Sequence, residues 1–496
     1  MASSIEPILA QIPFDDVLRK VGEVASREGI LAYAVGGVVR DALLGRETTD
    51  IDFVCLGPRS GIRLAEAVRR KLGGDEVHVY ENFGTAAVRI PLADAGFLVL
   101  EFVGARKESY SKHSRKPVIE SGTLSDDQHR RDFTINSMAV DLHPDRYGSL
   151  LDPFGGIIDL SKGVLRTPLD PIMTFEDDPL RIIRAARFAC QLGFLIDPIT
   201  LTGMKDRAER ISIVSPERIT VEVEKIMLCP QPSVGFALLY ECGVLHHFFP
   251  DLVALQGVET QEGVRHKDNF FHTLKVVDNL VESVADRAPS DTLWLRWAAL
   301  LHDIGKPKSK RFTEGVGWSF HGHEDKGARM IPNLFKSLRL PGDERMKTVQ
   351  ELVRLHHRPV SLVDDTVTDS AVRRLLFDAG DLIEDLMLLV RADITSKNTK
   401  KVRRYLRAFD SVEAKFKEVE GKDHLRNFQP PVDGEEIMRV LELPPSRAVG
   451  EIKNAIREAV LDGLIENNHE AAFAHMMEIK DSILASLSED AFRSTP

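Results

Sequence analysis

Cysteine is scarce in this chain: four among 496 residues, at Cys55, Cys190, Cys229 and Cys242, with no Cys-x-x-Cys pair. That excludes a disulfide scaffold and predicts packed, reduced thiols in a cytoplasmic protein. Long apolar runs are missing as well. The densest, 293–301, is broken by Arg296 and falls short of the roughly 18 residues a membrane span needs. The opening MASSIEPILAQ has neither the basic start nor the apolar core of a signal peptide. Net positive charge is absent, the formal balance being −11. This excludes a surface coated in basic residues, but a local basic stripe can still bind phosphates. Repeats and low-complexity tracts are lacking, and 43% hydrophobic with 28% charged residues is ordinary globular composition. At roughly 150 residues per domain, the length predicts about three to four domains.

What is present divides into four parts. Residues 31–35 (LAYAV), 50–56, 78–80, 85–92 and 97–103 read as strands, with a turn at 94–96 and a helix over VVRDALLG after Gly36-Gly37. This α/β head is expected over 1–165. The apolar period then becomes helical, giving a neck over 166–255; Ser215-Pro216-Glu217 suits the start of one of its helices. A histidine-rich helical block is expected over 256–410, and after the linker NFQPPVDG a charged helical tail, the last part covering 411–496. Residues 105–131 hold seven Lys/Arg against four Asp/Glu and read as a long mobile loop.

In the head, a glycine pair at a strand end lets backbone N–H groups approach phosphate, and the following helix N-terminus adds its dipole. Arg40, one turn in, is placed to reach the same phosphates. Asp50 and Asp52 are two apart on a strand, so both carboxylates leave one face. Hard cations such as Mg²⁺ take such oxygens, and two of them can activate a hydroxyl and stabilise leaving pyrophosphate. Glu101, charged within an apolar strand, is the candidate third carboxylate. Singly, a glycine pair is most often a turn and an Asp-x-Asp a surface feature; the order and spacing of all these groups is what is specific.

GGVVRD (36–41) followed by TDID (49–52) resembles the nucleotidyltransferase superfamily head, in particular class II tRNA nucleotidyltransferases (CCA-adding enzymes) and bacterial poly(A) polymerases. RRDFTINSMAV (130–140) resembles the ribose-and-phosphate motif, which implies Arg131 on the nucleotide and Asp132 supporting the ribose end. LDPFGGIIDL (151–160) resembles the hinge, DDPLRIIRAARF (177–188) the base-reading motif at Asp177, Asp178 and Arg181, and SPERITVEVEKIM (215–227) the neck helix. The mobile loop over 105–131 would help position nucleotide and primer end. The resemblance implies an α+β fold with a polymerase-β-like head and small mixed sheet, then all-helical neck, HD domain and tail.

The base-reading stretch also has a chemical reading. Asp178 and Arg181 are expected at i and i+3 on a helix, hence neighbours on one face. A carboxylate accepts from an exocyclic amine while a guanidinium donates to a ring acceptor, which suits cytosine and adenine and rejects uracil and guanine. Arg184 and Arg187 continue that face toward a triphosphate.

Seven of sixteen histidines fall between His266 and His357. Imidazole and carboxylate on helices suit divalent-metal hydrolase sites. LLHDIGKP (300–307) resembles HD-domain phosphohydrolases, which implies His272, His302, Asp303 and Asp393 as ligands, with His323, His356 and His357 as second-metal or phosphate groups. Histidine ligands favour a divalent transition metal here, against Mg²⁺ in the head. KNTKKVRRYLR (397–407) has six basic residues and no acid; Lys397, Lys400, Lys401 and Arg404 share a helical face suited to an RNA backbone. PPVDGEEIM and AVGEIKNAIREAVLDG resemble the tail of HD-bearing bacterial nucleotidyltransferases.

The expected activity is template-independent addition of C, C and A to tRNA 3′ ends from CTP and ATP, with no membrane partner. A poly(A) polymerase, an A-only or CC-only enzyme, and a catalytically dead RNA-binding scaffold remain alternatives. A protein uridylyltransferase would be longer and lack RRDFTIN and DDPLR. In a (p)ppGpp synthetase/hydrolase the hydrolase domain would come first.

Overall fold

The computed structural model describes residues 5–10, 14–48, 50–80, 84–91, 96–111, 114–257, 260–261, 264–265, 268–363, 368–396, 398–423 and 429–493. Thr49, the expected turn residues Asp94 and Ala95, and Lys397 lie outside these. The chain forms two compact units, Met1–Pro250 and Asp251–Pro496.

The first unit opens with helices α1 (Glu6–Leu9) and α2 (Asp15–Arg27), then builds strands β1 (Leu31–Val35), β2 (Asp50–Leu56), β3 (His78–Tyr80), β4 (Thr85–Pro91) and β5 (Phe97–Gly104). Helices α3 (Gly37–Leu43) and α4 (Ser60–Leu72) follow β1 and β2. Strands β6 (Arg106–Ser111) and β7 (Ser114–Ser121) pair as a separate hairpin, and α5 (Leu124–His129) follows. Strands β8 (Ala139–Asp141) and β9 (Leu150–Leu151) complete a seven-stranded sheet ordered β3-β4-β5-β2-β1-β8-β9. Only β2 and β5 run parallel in it, so the sheet is mixed. Its core includes Phe53 stacked on Phe102 with ring centroids 4.8 Å apart.

Three expectations for the head need correction. Residues 105–131 are a hairpin and a capped helix rather than a long loop: Thr123 and Asp126 form a reciprocal capping box, and Leu124 is buried against Tyr33, Val35 and Val54. Composition alone cannot separate such elements from a loop. The sequence reading also omitted α4, an amphipathic helix packed on β4 and β5, and the three-residue strand β8.

Helix α6 (Gly156–Lys162) closes the head, and the neck comprises α7 (Pro171–Asp177), α8 (Leu180–Leu192), α9 (Pro198–Asp206) and α10 (Pro216–Met227), followed by further short helices. Ser215 stands at the N-cap of α10, but its side chain makes no capping bond; Pro216 at the first helical position does the starting.

The second unit packs the helices Asn269–Ser283, Leu293–Leu301, His323–Ser337, Glu344–Leu355 and Ile383–Ala392 around Phe270, Trp297, Ile331, Phe335 and Leu352. Its tail is more than a charged helix. Gly434–Val440, Arg447–Leu461 and His469–Arg493 enclose their own core of Val432, Ile437, Ile452, Ile456 and Met476. Arg374 ties helix Asp369–Ala379 to this tail through Glu458 and Asp462. No helix among the described residues is long and apolar enough to cross a membrane.

Candidate active sites

The first site grows from the adjoining ends of β1 and β2. Val35, the last residue of β1, pairs with Asp52, so the glycine turn begins beside the Asp50/Asp52 face. On the other side of β2, Glu101 pairs in register with Asp52, and Asp50 pairs with Val99. Paired residues on neighbouring strands share a face, which gathers the three carboxylates. Burial raises the pKa of Asp52, opposed by Arg131 and reinforced by Asp50. Burial also raises Glu101, with Asp52 and Asp50 adding like-charge repulsion. A mutually repelling, all-oxygen donor set fits a hard divalent cation.

Gly36 has φ +76°, and a Cβ there would lie 2.6 Å from Nη1 of Arg131. The glycine therefore admits the arginine as well as making the turn. Arg131 is fixed from behind: Nε donates to Asp127 Oδ2 at 2.9 Å and Nη1 to the Asn136 carbonyl at 3.2 Å. Arg40 departs from expectation. Its Nε and Nη2 donate to Asp41 and its Nη1 to Asn136 Oδ1 at 2.7 Å, so a buried guanidinium edges the cavity with its donors turned inward.

Asp132 accepts from Asn136 Nδ2 at 3.0 Å and from Arg184 Nε at 2.8 Å. Burial would raise its pKa, but Arg184 and these bonds hold it far below the usual carboxylate range. Arg187 lies 3.1 Å from Glu222 on α10, and its buried Nε makes no hydrogen bond. Burial and then the Arg184 charge lower the Arg187 pKa to about 10.

Asp178 and Arg181 come together at the same cavity, but not as neighbours on one helix. Asp178 is extended (φ −139°, ψ 98°) and ends α7, because Pro179 follows it. Its Oδ1 caps α8 by accepting from Leu180 N at 3.2 Å, and its Oδ2 accepts from Arg218 at 2.9 Å. Arg181 donates to the carbonyls of Arg130 and Thr174. Asp177 is the last residue of α7 and does not line the cavity. The cavity, about 990 Å³, is lined by Gly36, Gly37, Arg40, Asp50, Asp52, Arg131, Asp132, Asp178, Arg181, Arg184 and Arg187. The sequence reading missed Asp127, Asn136, Arg218 and Glu222. The last three sit inside motifs it quoted, and Asp127 shows as an acid four residues before Arg131.

In the second unit, His272 Nε2 lies 2.9 Å from Asp393, and His302 Nε2 is 3.7 Å from Asp393 and 3.3 Å from Asp303 Oδ2. The other oxygen of Asp303 faces His323 at 3.4 Å and His356 at 3.9 Å. Two candidate ligand groups result, His272/His302/Asp393 and Asp303/His323/His356, with Asp303 between them. Nδ1 of His302, His323 and His356 each meets a backbone carbonyl, of Ala299, Phe320 and Val353. Such a bond fixes the tautomer that aims the Nε2 lone pair inward. Nε2 of fully buried His302 finds no hydrogen bond of good geometry. That is an orphaned acceptor in a nitrogen-and-oxygen donor set, and it fits a divalent metal.

Gly305 makes the convergence possible: a Cβ there would lie 2.1 Å from the His323 carbonyl, so helix His323–Ser337 packs directly on the His302-Asp303 turn. Of the two roles expected for His357, metal ligand or phosphate contact, the position fits the second. Its ring is 58% exposed and faces Glu324 at 3.7 Å, outside both groups, although it lines the same cavity of about 650 Å³. Farther along, helix Thr399–Asp423 lines a recess of about 310 Å³ with Lys400, Arg403, Arg404 and Arg407. The basic face thus includes Arg403 and, one turn beyond the expected residues, Arg407, while Lys401 lies 5.9 Å from the Tyr405 ring.

A mixed-sheet head that presents clustered carboxylates beside a glycine turn and an arginine-rich cavity defines a nucleotidyltransferase. Family models match over 32–166 (poly A polymerase head domain), 193–255 (probable RNA and SrmB-binding site of polymerase A) and 269–398 (HD domain). The chain is 32% identical over 456 residues to a Deinococcus radiodurans protein named A-adding tRNA nucleotidyltransferase, covering 89% of this chain and 94% of that one. It is 35% identical over 356 residues to a Pseudomonas aeruginosa protein named multifunctional CCA protein, covering 68% and 78%. In fold it is similar to the Thermotoga maritima CCA-adding enzyme solved with tRNA, at TM-score 0.59 and 22% identity over 98% of this chain and 99% of that one. The chain belongs to the tRNA nucleotidyltransferase and poly(A) polymerase family, in a form that carries an HD domain.

Proposed function

We propose that this protein is a cytoplasmic enzyme that adds C, C and A to tRNA 3′ ends from CTP and ATP, releasing pyrophosphate. The observation that carries the reading is that Asp178 and Arg181 line the cavity that also holds Asp50 and Asp52. One acid and one guanidinium suffice to accept the amine-bearing edges of cytosine and adenine. Asp50, Asp52 and Glu101 would hold Mg²⁺, which when bound supplies activation of the attacking hydroxyl and charge neutralisation at the leaving group. Arg131 contacts the triphosphate, with Arg184 and Arg187 along the same wall. Asp132, held by Asn136 and Arg184, orients the ribose end. Asp178 accepts from the base amine while Arg218 keeps its other oxygen in place.

The His/Asp site of the second unit would hold a divalent transition metal and hydrolyse small phosphoesters, the metal supplying an activated water when bound. The four buried cysteines agree with a reducing compartment. The basic face of Lys400, Arg403, Arg404 and Arg407 grips the tRNA backbone.

The test gives the purified protein tRNA lacking its last three nucleotides, and tRNA ending in one C or two, with CTP and ATP alone and combined. Three additions to the first substrate are expected. Addition of A only to the CC-ended tRNA would reduce the activity to A-adding, and unlimited A addition would make it a poly(A) polymerase.

A further inference from the structure

We propose that Asp127 is a positioning residue for nucleotidyl transfer, holding the Arg131 guanidinium against the glycine turn beside Asp52. The proposal rests on the reading of Arg131 as a triphosphate contact.

Asp127 is fully buried, and its side chain is not part of the cavity wall, whereas Arg130 and Arg131 both line the cavity. It meets both from the helix they follow, at i+3 and i+4, with one carboxylate oxygen for each. Burying a carboxylate is costly unless it is paired and hydrogen-bonded. Packing alone gives no reason for one on the inner face of α5, where Leu124 three residues earlier is apolar.

The helix that carries Asp127 is held in place independently. Thr123 and Asp126 cap it, Leu124 enters the sheet core, and Gln128 Nε2 donates to the carbonyls of Ser137 at 2.8 Å and Leu151 at 3.1 Å. A group on such a platform can fix a functional side chain closely. Arg131 is then held on three sides: Asp127 at Nε, the Asn136 carbonyl at Nη1, and the Gly36 backbone, which leaves no room for a Cβ. Asp127 thereby reaches the cavity wall through Arg131, with Arg130 held beside it.

The test measures steady-state kinetics of the full chain with tRNA and varied ATP or CTP. Asp127→Asn is expected to lower kcat/KM for the triphosphate by about ten- to a hundredfold, mostly through KM, with KM for tRNA and base selectivity unchanged. Arg131→Ala is expected to show a similar loss. The double variant is expected to be no worse than Arg131→Ala, because Asp127 acts through that residue. Thr123→Ala, which loosens the helix cap without touching either arginine, serves as the stability control: it lowers thermal stability and raises KM less than Asp127→Asn does. Asp127→Glu retains the charge and falls between wild type and Asp127→Asn.

Losses that multiply in the double variant would overturn the proposal, as would wild-type KM in Asp127→Asn. An Asp127→Asn that does not fold, beside an Asp127→Glu with wild-type KM, would make the residue structural and overturn it too. Wild-type KM in Arg131→Ala would instead remove the underlying reading of Arg131 as a nucleotide contact.

Discussion

Glu101 stands beside Asp52 because β2 and β5 are the one parallel pair in the sheet and bring these two residues into register. A shift of one residue would turn Glu101 to the opposite face, among the apolar side chains that include Phe102. The register thus identifies the third carboxylate of the proposed metal site, where burial and then the charges of Asp52 and Asp50 raise the proton affinity of Glu101. A cation bound there would relieve a repulsion that the fold imposes.

Base selectivity is expected to fail before triphosphate binding when the reading pair is altered. Asp178→Ala or Arg181→Ala removes a contact worth about 1–3 kcal/mol, so UTP or GTP incorporation relative to CTP and ATP rises roughly ten- to a hundredfold. Competition assays with paired nucleotides read this directly. Uniform loss of affinity for all four would make the pair a phosphate clamp.

The legibility of these groups differed with the kind of information each needs. Asp50 and Asp52 could be read because strand periodicity puts residues two apart on one face whatever else the chain does. Asp178 and Arg181 were found by motif, but their geometry was misjudged: Pro179 ends α7 at Asp178, and the acid caps the next helix from outside. Arg40 looked like a phosphate ligand because the local sequence shows its distance from the glycines but not Asn136, ninety-six positions away, which takes its Nη1. Asp127 and Glu222 escaped for a different reason: an acid on an amphipathic helix reads as solvated until its burial is known. The tail core escaped because abundant charge hid an apolar stripe at Val449, Ile452 and Ile456.

The two proposed sites are expected to act independently, since one offers carboxylates and the other imidazoles with carboxylates. His302→Ala with Asp303→Ala is expected to abolish phosphoesterase activity on 2′,3′-cyclic nucleotides stimulated by Ni²⁺, Mn²⁺ or Co²⁺, and to leave CCA addition near wild type. Asp50→Ala with Asp52→Ala gives the reverse. Loss of CCA addition in a folded His302/Asp303 variant would make the HD domain part of the polymerase. No hydrolysis by wild type with any of these metals would leave it a scaffold.

The basic recess on helix Thr399–Asp423 carries an electrostatic prediction. Arg403→Glu with Arg407→Glu is expected to weaken tRNA binding and to flatten the dependence of log affinity on log salt, by about one unit of slope per lost phosphate contact. Fluorescence anisotropy between low and physiological salt measures both. An unchanged slope would make the recess a solvated face.

The central claim is that the carboxylates of β2 perform nucleotidyl transfer, and Asp52→Asn tests it most directly. The substitution keeps the shape of a partly exposed side chain on a strand whose packing comes from Ile51, Phe53 and Val54, so thermal stability should stay close to wild type. The measurement is single-turnover incorporation of labelled nucleotide into tRNA lacking its 3′ tail, with Mg²⁺ and saturating CTP and ATP. The account predicts no detectable incorporation by folded Asp52→Asn protein; incorporation at the wild-type rate would contradict it.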